Sequence, residues 1–256
     1  MTTAEVASVV RSLLATQPRF HSGGTRVWSA TPRTLELLAT HVADDDSSVE
    51  TGAGASTVVL AAAGARHTAI SPFGDEHQRI RAYLESEGIQ DDKITFIEGS
   101  SDTVLPSLPG DATFDFAFID GKHSFPYPVV DFHLIDRRLK VGGKLLIDDI
   151  PIPAVNVVFR FLDESSDWRL LDIADNRAAL FLKLADAEDE DNWHLQPANA
   201  GYPDYSFAPL EKRLRLQAAH SAQVFKRRLG DRVPVLRRLR NVRGRIQKGF
   251  DDPGGH

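Results

Sequence analysis

The chain contains no cysteine, which excludes disulfide frameworks, zinc knuckles, thiol nucleophiles and thiolate-held clusters; any metal must sit on oxygen or imidazole. No apolar run approaches the roughly 20 residues that span a bilayer. The opening stretch MTTAEVASVVRSLLATQP lacks a basic start, an apolar middle and a cleavage site, so no secretory signal is expected and a cytoplasmic location is. What is present is 256 residues, 42% hydrophobic and 26% charged, enough to bury one substantial core. The net charge of -6 is unevenly distributed. Residues 209–250 hold 13 Lys/Arg against Glu211 and Asp231, so an acidic body precedes a basic tail.

Apolar positions in residues 4–15 recur at helical spacing, and Thr31 followed by Pro32 reads as an N-cap with proline in the first turn of a second helix. From residue 48 short apolar strands alternate with helical stretches. Strands are expected near 48–51, 67–71, 93–97, 114–119 and 143–148, with helices near 55–63, 75–87, 100–108 and 125–139. Gly88 and the Gly142-Gly143 pair stand where helices should stop. After Asp149 comes a helix over PIPAVNVVFRFLDESS. Two strands, WRLLDIAD and RAALFLKLA, follow too close together for a parallel crossover and must pair antiparallel.

The expected fold class is therefore α/β, a doubly wound, Rossmann-like, seven-stranded sheet of five parallel strands plus a C-terminal antiparallel hairpin. Four segments follow: N-terminal helices with a lid loop over 1–45, a ligand-binding domain over 46–185, an acidic, Pro/Gly-rich linker over 186–208, and a basic amphipathic tail over 209–256. Within the tail, one helix runs from Pro209 to Gly230 and another begins at Pro234.

Between the first strand and helix, Glu50-Thr51-Gly52-Ala53-Gly54-Ala55-Ser56 lets the backbone turn tightly and approach a ligand at a helix N-terminus. A purely structural turn is the alternative. A nicotinamide site would need a third glycine where Thr57 stands and a carboxylate at the end of the second strand, where Ser71 stands. Both requirements fail.

Further on, Asp120 closes the fourth strand and Asp148-Asp149 close the fifth, so three carboxylates gather at the ligand-binding edge. Gathered like charges repel unless a cation sits among them, and oxygen ligands in small number suit Mg²⁺, Mn²⁺ or Ca²⁺. Alternatively these are capping and solvated loop acids. Adjacent strand residues point to opposite faces, so Asp148 and Asp149 reach one ion only if the chain turns at once, as Pro151 and Pro153 would favour.

Glu50, two residues before the first glycine, together with a five-plus-hairpin sheet, resembles the class I S-adenosylmethionine-dependent methyltransferases. Asp120-Gly121-Lys122-His123, then Leu139, Gly142-Gly143 and Asp148-Asp149, looks like the metal-dependent O-methyltransferases of the catechol and macrolide-sugar types. The likeness spans roughly residues 45–185. It implies S-adenosylmethionine as cofactor, bound by Glu50, Gly52, Gly54, Ser56, Ser71, Ser101, Asp102 and Asp120, the adenine lying by Ser101 and Asp102. It also implies Mg²⁺ or another divalent cation on Asp120, Asp148 and Asp149, and His123 as general base, with Lys122 ranked second. The family normally has an acid where Ser71 stands, so either Ser71 makes a weaker ribose contact or Asp75 or Glu76 swings in.

The expected function is cation-assisted methyl transfer from S-adenosylmethionine to a hydroxyl of a small molecule, a sugar or glycosylated metabolite being one candidate class. Two rivals stand beside it, a non-catalytic binding or scaffold module and a hydroxylase-like relative sharing the three-carboxylate site. For the basic tail, docking on the body or on another subunit of a homo-oligomer leads, peripheral contact with an anionic membrane follows, and nucleic acid is disfavoured for want of stacking aromatics.

Overall fold

The computed structural model describes residues 2–21, 30–186 and 204–232, with side chains up to residue 222 in the last stretch. The chain divides into two compact units, Met1–Ala200 and Gly201–His256.

In the first unit, α1 (Thr3–Thr16) and α2 (Pro32–His41) precede an alternation of strands and helices. Both start as their sequences require: Thr2 and Glu5 form a reciprocal capping box, and the Thr31 hydroxyl accepts from the Thr34 amide at 3.2 Å with Pro32 in the first turn. Next come β1 (Ser47–Thr51), α3 (Ala55–Ala63), β2 (Arg66–Ser71), α4 (Gly74–Ser86), β3 (Ile94–Glu98), α5 (Ser101–Ser107), β4 (Phe114–Ile119) and α6 (Tyr127–Asp136). The unit closes with β5 (Leu139–Ile147), α7 (Pro153–Glu164), β6 (Trp168–Ala174) and β7 (Ala178–Lys183).

The seven strands lie in the order β3-β2-β1-β4-β5-β7-β6, parallel from β3 to β5, with β7 antiparallel to both β5 and β6. The second strand of the hairpin, not the first, is thus inserted beside β5. Between β6 and β7, Asp175 and Asn176 both have φ of 53°, and the Arg177 amide donates to the Ala174 carbonyl at 2.8 Å. That is the primed hairpin turn whose twist suits the flanking strands.

Alternation along the strands divides the core. Phe116, Phe118, Leu146 and Leu180 face one layer with α1 to α4, while Ala117, Ile119, Leu145 and Phe181 face the other with α5 to α7. Gly88 has φ of 68° and ends α4 as expected. The Gly142-Gly143 expectation needs correction: both lie inside β5, and the pairing moves from Phe114↔Leu139 to Phe116↔Lys144. The extra residues on β5 make a bulge that Gly142, at φ 86°, enters without strain.

In the second unit, α8 (Leu210–Arg232) continues through Gly230, past the expected stop. The helix expected from Pro234, and the linker over residues 187–203, lie outside the described residues. No described helix is long and apolar enough to cross a membrane.

The ends of β1, β4 and β5 form one continuous edge. The Asp120 amide donates to the Thr51 carbonyl and the Asp148 amide to the Ile119 carbonyl, both at 3.0 Å. Gly52 (φ 103°) packs so close that a Cβ there would lie 2.6 Å from the Asp120 carbonyl oxygen. A Gly52→Ala variant is expected to lose about 2–4 kcal/mol in urea unfolding, from strain plus overlap. Gly54→Ala, in extended backbone with only the His21 ring nearby at 3.3 Å, should lose less than about 1 kcal/mol.

Candidate active site

The glycine turn is braced from within. Glu50 is fully buried; its carboxylate accepts from the Ser56 hydroxyl at 2.6 Å and from the Thr57 hydroxyl, and His67 Nε2 lies 3.1 Å from it. The Thr57 hydroxyl in turn accepts from the Gly54 amide at 3.0 Å. Glu50 and Ser56, both expected near a cofactor, bind each other and tie the first turn of α3 to β1. Gly52 and Gly54 form the turn itself, beside the end of β4.

At the end of β2 the Ser71 hydroxyl is buried and donates to Glu76 at 3.2 Å. Glu76, in the first turn of α4, is the nearby acid that turns in, while Asp75 pairs with Arg79. The other carboxylate oxygen of Glu76 meets His21 Nδ1 at 3.1 Å. His21 reaches this point because Phe20 is anchored on α4, its ring edge-on to Tyr83 at 5.5 Å and its carbonyl accepting from Arg79 at 2.6 Å. The rest of the expected lid, residues 22–29, lies outside the described residues. A cavity of about 580 Å³ between the end of α1, residues 17–21 and the start of α2 reaches Ala55 at the glycine turn. That volume lies within the range of small-molecule pockets.

Ser101 and Asp102 open α5 after β3, with Ser100 donating to Asp102 and Ser101 buried. Beneath them Asp131 of α6 is 1% exposed, and neither of its oxygens has a hydrogen-bond partner of good geometry. Burial drives its pKa upward, only partly opposed by the Ser101 and Thr51 hydroxyls.

The acids at the ends of β4 and β5 separate into two groups. Asp120, His123 and Asp149 converge, with candidate ligand atoms all within 4.8 Å of one another. His123 stands between the two acids, Nε2 3.6 Å from Asp120 Oδ1 and Nδ1 3.6 Å from Asp149 Oδ2. Asp148 is not in this group. The chain turns at Asp149, at φ 56°, leaving Asp148 0% exposed and hydrogen-bonded to Arg177 Nη2 at 3.0 Å. Of the three expected ligands, Asp120 and Asp149 come together with His123, while Asp148 lies on the hairpin side beside Arg177. Lys122 is exposed, with its ammonium 3.9 Å over the Tyr127 ring.

The charges leave a clear electrostatic signature. Burial, with the Asp120 charge adding, pushes the Asp148 carboxyl up to about 7 although Arg177 opposes it. Asp120 is raised chiefly by burial, His123 pulling the other way, and His123 is raised by the adjacent Asp120 carboxylate. Two carboxylates and an imidazole are a donor set that fits a divalent cation with retained waters.

Five parallel strands with β7 inserted antiparallel beside β5, and a glycine turn after β1, define the class I methyltransferase fold. Residues 49–150 match a family model described as a methyltransferase domain. No curated protein matches it. Solved structures share its fold. One is the O-methyltransferase TomG from Streptomyces achromogenes, involved in tomaymycin synthesis and in complex with SAM, at 17% identity and TM-score 0.53, covering 72% of this chain and 89% of that one. Another is an O-methyltransferase from Bacillus cereus in complex with SAH, at 14% and 0.55, covering 69% and 91%. A methyltransferase from Geobacter sulfurreducens matches at 17% and 0.53, covering 71% and 90%.

Two residues that sequence reasoning left without a role now stand at the site, Arg177 and His21; Glu76, one of the two acids offered beside Ser71, stands there with them.

Asp131 yields a pH-dependent test. Its folded pKa is raised, so the unfolded chain gives up this proton first as pH rises. Its stability contribution falls from the ordinary carboxylate range upward, until the folded form also ionises. Asp131→Asn should therefore raise the melting temperature at pH 8 more than at pH 4.5, read by thermal unfolding; a uniform loss at both would show that the carboxylate is needed.

Proposed function

We propose that the protein transfers the methyl group of S-adenosylmethionine to a hydroxyl of a small molecule with help from a divalent cation, Mg²⁺ first among candidates. The observation that carries this reading is the adjacency of the glycine turn to the acid cluster: Gly52 packs on the Asp120 carbonyl, and Asp120 converges with His123 and Asp149. Cofactor and reacting hydroxyl would then meet at one edge of the sheet.

In this reading the turn at Gly52 and Gly54 and the start of α3 receive the methionine end of the cofactor, Glu76 with Ser71 the ribose, and Ser101 with Asp102 the adenine side. Glu76 supplies the acid that the end of β2 lacks. Asp120 and Asp149 would hold the cation, which when bound would acidify the hydroxyl and offset the repulsion of the carboxylates. His123 takes the hydroxyl proton. The hydroxyl oxygen forms the new bond to the methyl carbon as the carbon–sulfur bond breaks with its electron pair going to sulfur, leaving a methyl ether and S-adenosylhomocysteine. The carboxylates on either side strengthen His123 as a base. A sugar or glycosylated metabolite is the acceptor class we favour, from the resemblance to the macrolide-sugar enzymes.

One observation favours a second role for His123: it lies close enough to Asp120 and Asp149 to be a third ligand. His123→Ala separates the two. As base, its loss should abolish turnover, by about 100-fold or more, while S-adenosylmethionine and Mn²⁺ affinities in calorimetry stay nearly intact. As ligand, its loss should weaken Mn²⁺ by about 10-fold or more. Failure of the wild-type protein to bind S-adenosylmethionine, with or without Mg²⁺, would overturn the whole reading.

The basic segment 209–250 is assigned to docking, on another subunit ahead of an anionic membrane surface. Truncation after residue 208 should leave S-adenosylmethionine affinity unchanged while abolishing self-association in sedimentation; a loss of cofactor affinity would make the segment part of the enzyme core.

A further inference from the structure

Arg177 has no part in the methyl transfer described above, yet it is the cation bound most directly to the acids at the end of β5. Its Nη2 donates to Asp148 Oδ2 at 3.0 Å and its Nε lies 2.8 Å from Asp149 Oδ1, so one edge of a single guanidinium bridges two consecutive aspartates. The arginine is itself held on both sides of its peptide: its amide donates to the Ala174 carbonyl and its carbonyl accepts from the Ile150 amide, each at 2.8 Å. The first bond closes the β6–β7 turn and the second ties that turn to the chain just beyond Asp149. With its backbone fixed and its side chain 26% exposed, the guanidinium has little freedom to leave.

Asp149 carries the consequence. Its backbone is in the left-handed region, at φ 56°, so the chain turns there and the two consecutive carboxylates leave it in different directions. One carboxylate oxygen, Oδ1, is engaged by Arg177; the other, Oδ2, is turned to His123 at 3.6 Å and belongs to the cluster with Asp120. Asp148, tied to the same guanidinium and fully buried, is turned out of that cluster.

The geometry points to Arg177 as a positioning residue for the cation centre: by bridging Asp148 and Asp149 it withholds Asp148 from the ion and presents Asp149 Oδ2 to it. This rests on the reading that a divalent cation binds at Asp120 and Asp149. Three ionised aspartates on one ion would give a strongly acidic centre, whereas Arg177 reduces it to two and fixes the direction of the second. Arginine suits the task because its planar fork engages two carboxylates in a set geometry, which a lysine ammonium cannot do.

Charge and position predict opposite outcomes. If Arg177 acted only by its charge, removing it would make the site more negative and tighten cation binding. As a positioning residue its loss must weaken binding, by about 10-fold or more, the range usual for groups that orient metal ligands. The test is Mn²⁺ titration of the full-length protein, followed by electron paramagnetic resonance and calorimetry, for the wild type, Arg177→Gln, Arg177→Lys and Asp148→Asn. Weaker Mn²⁺ binding in both Arg177 variants, with S-adenosylmethionine affinity kept, is the expected result. Unchanged or tighter binding in Arg177→Gln, or full rescue by Arg177→Lys, overturns the proposal. Asp148→Asn decides the matter should the arginine variants fail to fold: affinity within about twofold of wild type is expected, and a loss of about 10-fold or more would make Asp148 a ligand and overturn the proposal. A wild-type protein that binds S-adenosylmethionine but no Mn²⁺ overturns both this proposal and the cation reading beneath it, whereas normal Mn²⁺ binding with unaltered variants overturns this proposal alone.

Discussion

Parallel strands that end side by side carry their last residues to one edge, and here those residues are acids. The register places Ile119 beside Ile147, so the next residues on β4 and β5, Asp120 and Asp148, are brought together by backbone hydrogen bonds rather than by any attraction between side chains. Much of the local structure answers that repulsion. The chain reverses at Asp149 so that two consecutive carboxylates do not face the same way; His123 stands between Asp120 and Asp149; Arg177 reaches in from the hairpin; and Asp148 has its carboxyl pushed up to about 7 by burial and by the Asp120 charge. An edge arranged in this way favours a positively charged ligand.

The acidic character of residues 1–208 thus includes groups with different work. Glu50 is consumed in holding the glycine turn to α3 and never reaches the edge, and Glu76 replaces an acid missing from β2 by reaching back from the first turn of α4. Glu76 and Glu50 are nearly equal in burial, yet one has both oxygens committed to the turn and the other links Ser71 to His21, beside the glycines. Position along the chain does not separate such roles; the partners of each oxygen do.

Local chemistry was readable wherever it was local. The cap at Thr31, the stop at Gly88, the strand at Phe114–Ile119 and the turn at Gly52 each depend on a few neighbouring residues whose backbone preferences leave little choice. The same reasoning failed at Gly142-Gly143, because a glycine pair reads alike as a helix stop or as a bulge, and only the pairing of β5 with β4 distinguishes them. The resting place of Lys122, its ammonium over the Tyr127 ring, was likewise not legible in the sequence. Arg177 was invisible for a related reason: it lies 28 positions beyond Asp149 in a hairpin with no motif, and the link arises only because β7 is inserted beside β5.

The sequence by itself therefore determined the alternation of strands and helices, the sharp turn after β1 and the presence of acids at the ends of β4 and β5, since periodicity, glycine conformational freedom and strand termini are written in short stretches of chain. Which of those acids face one another, which are neutralised from within and which remain open to a ligand was decided only in three dimensions. Coulomb interactions act between groups a few ångströms apart regardless of their separation along the chain, and at this edge the decisive partners come from the glycine turn, two parallel strands and a hairpin far apart in sequence.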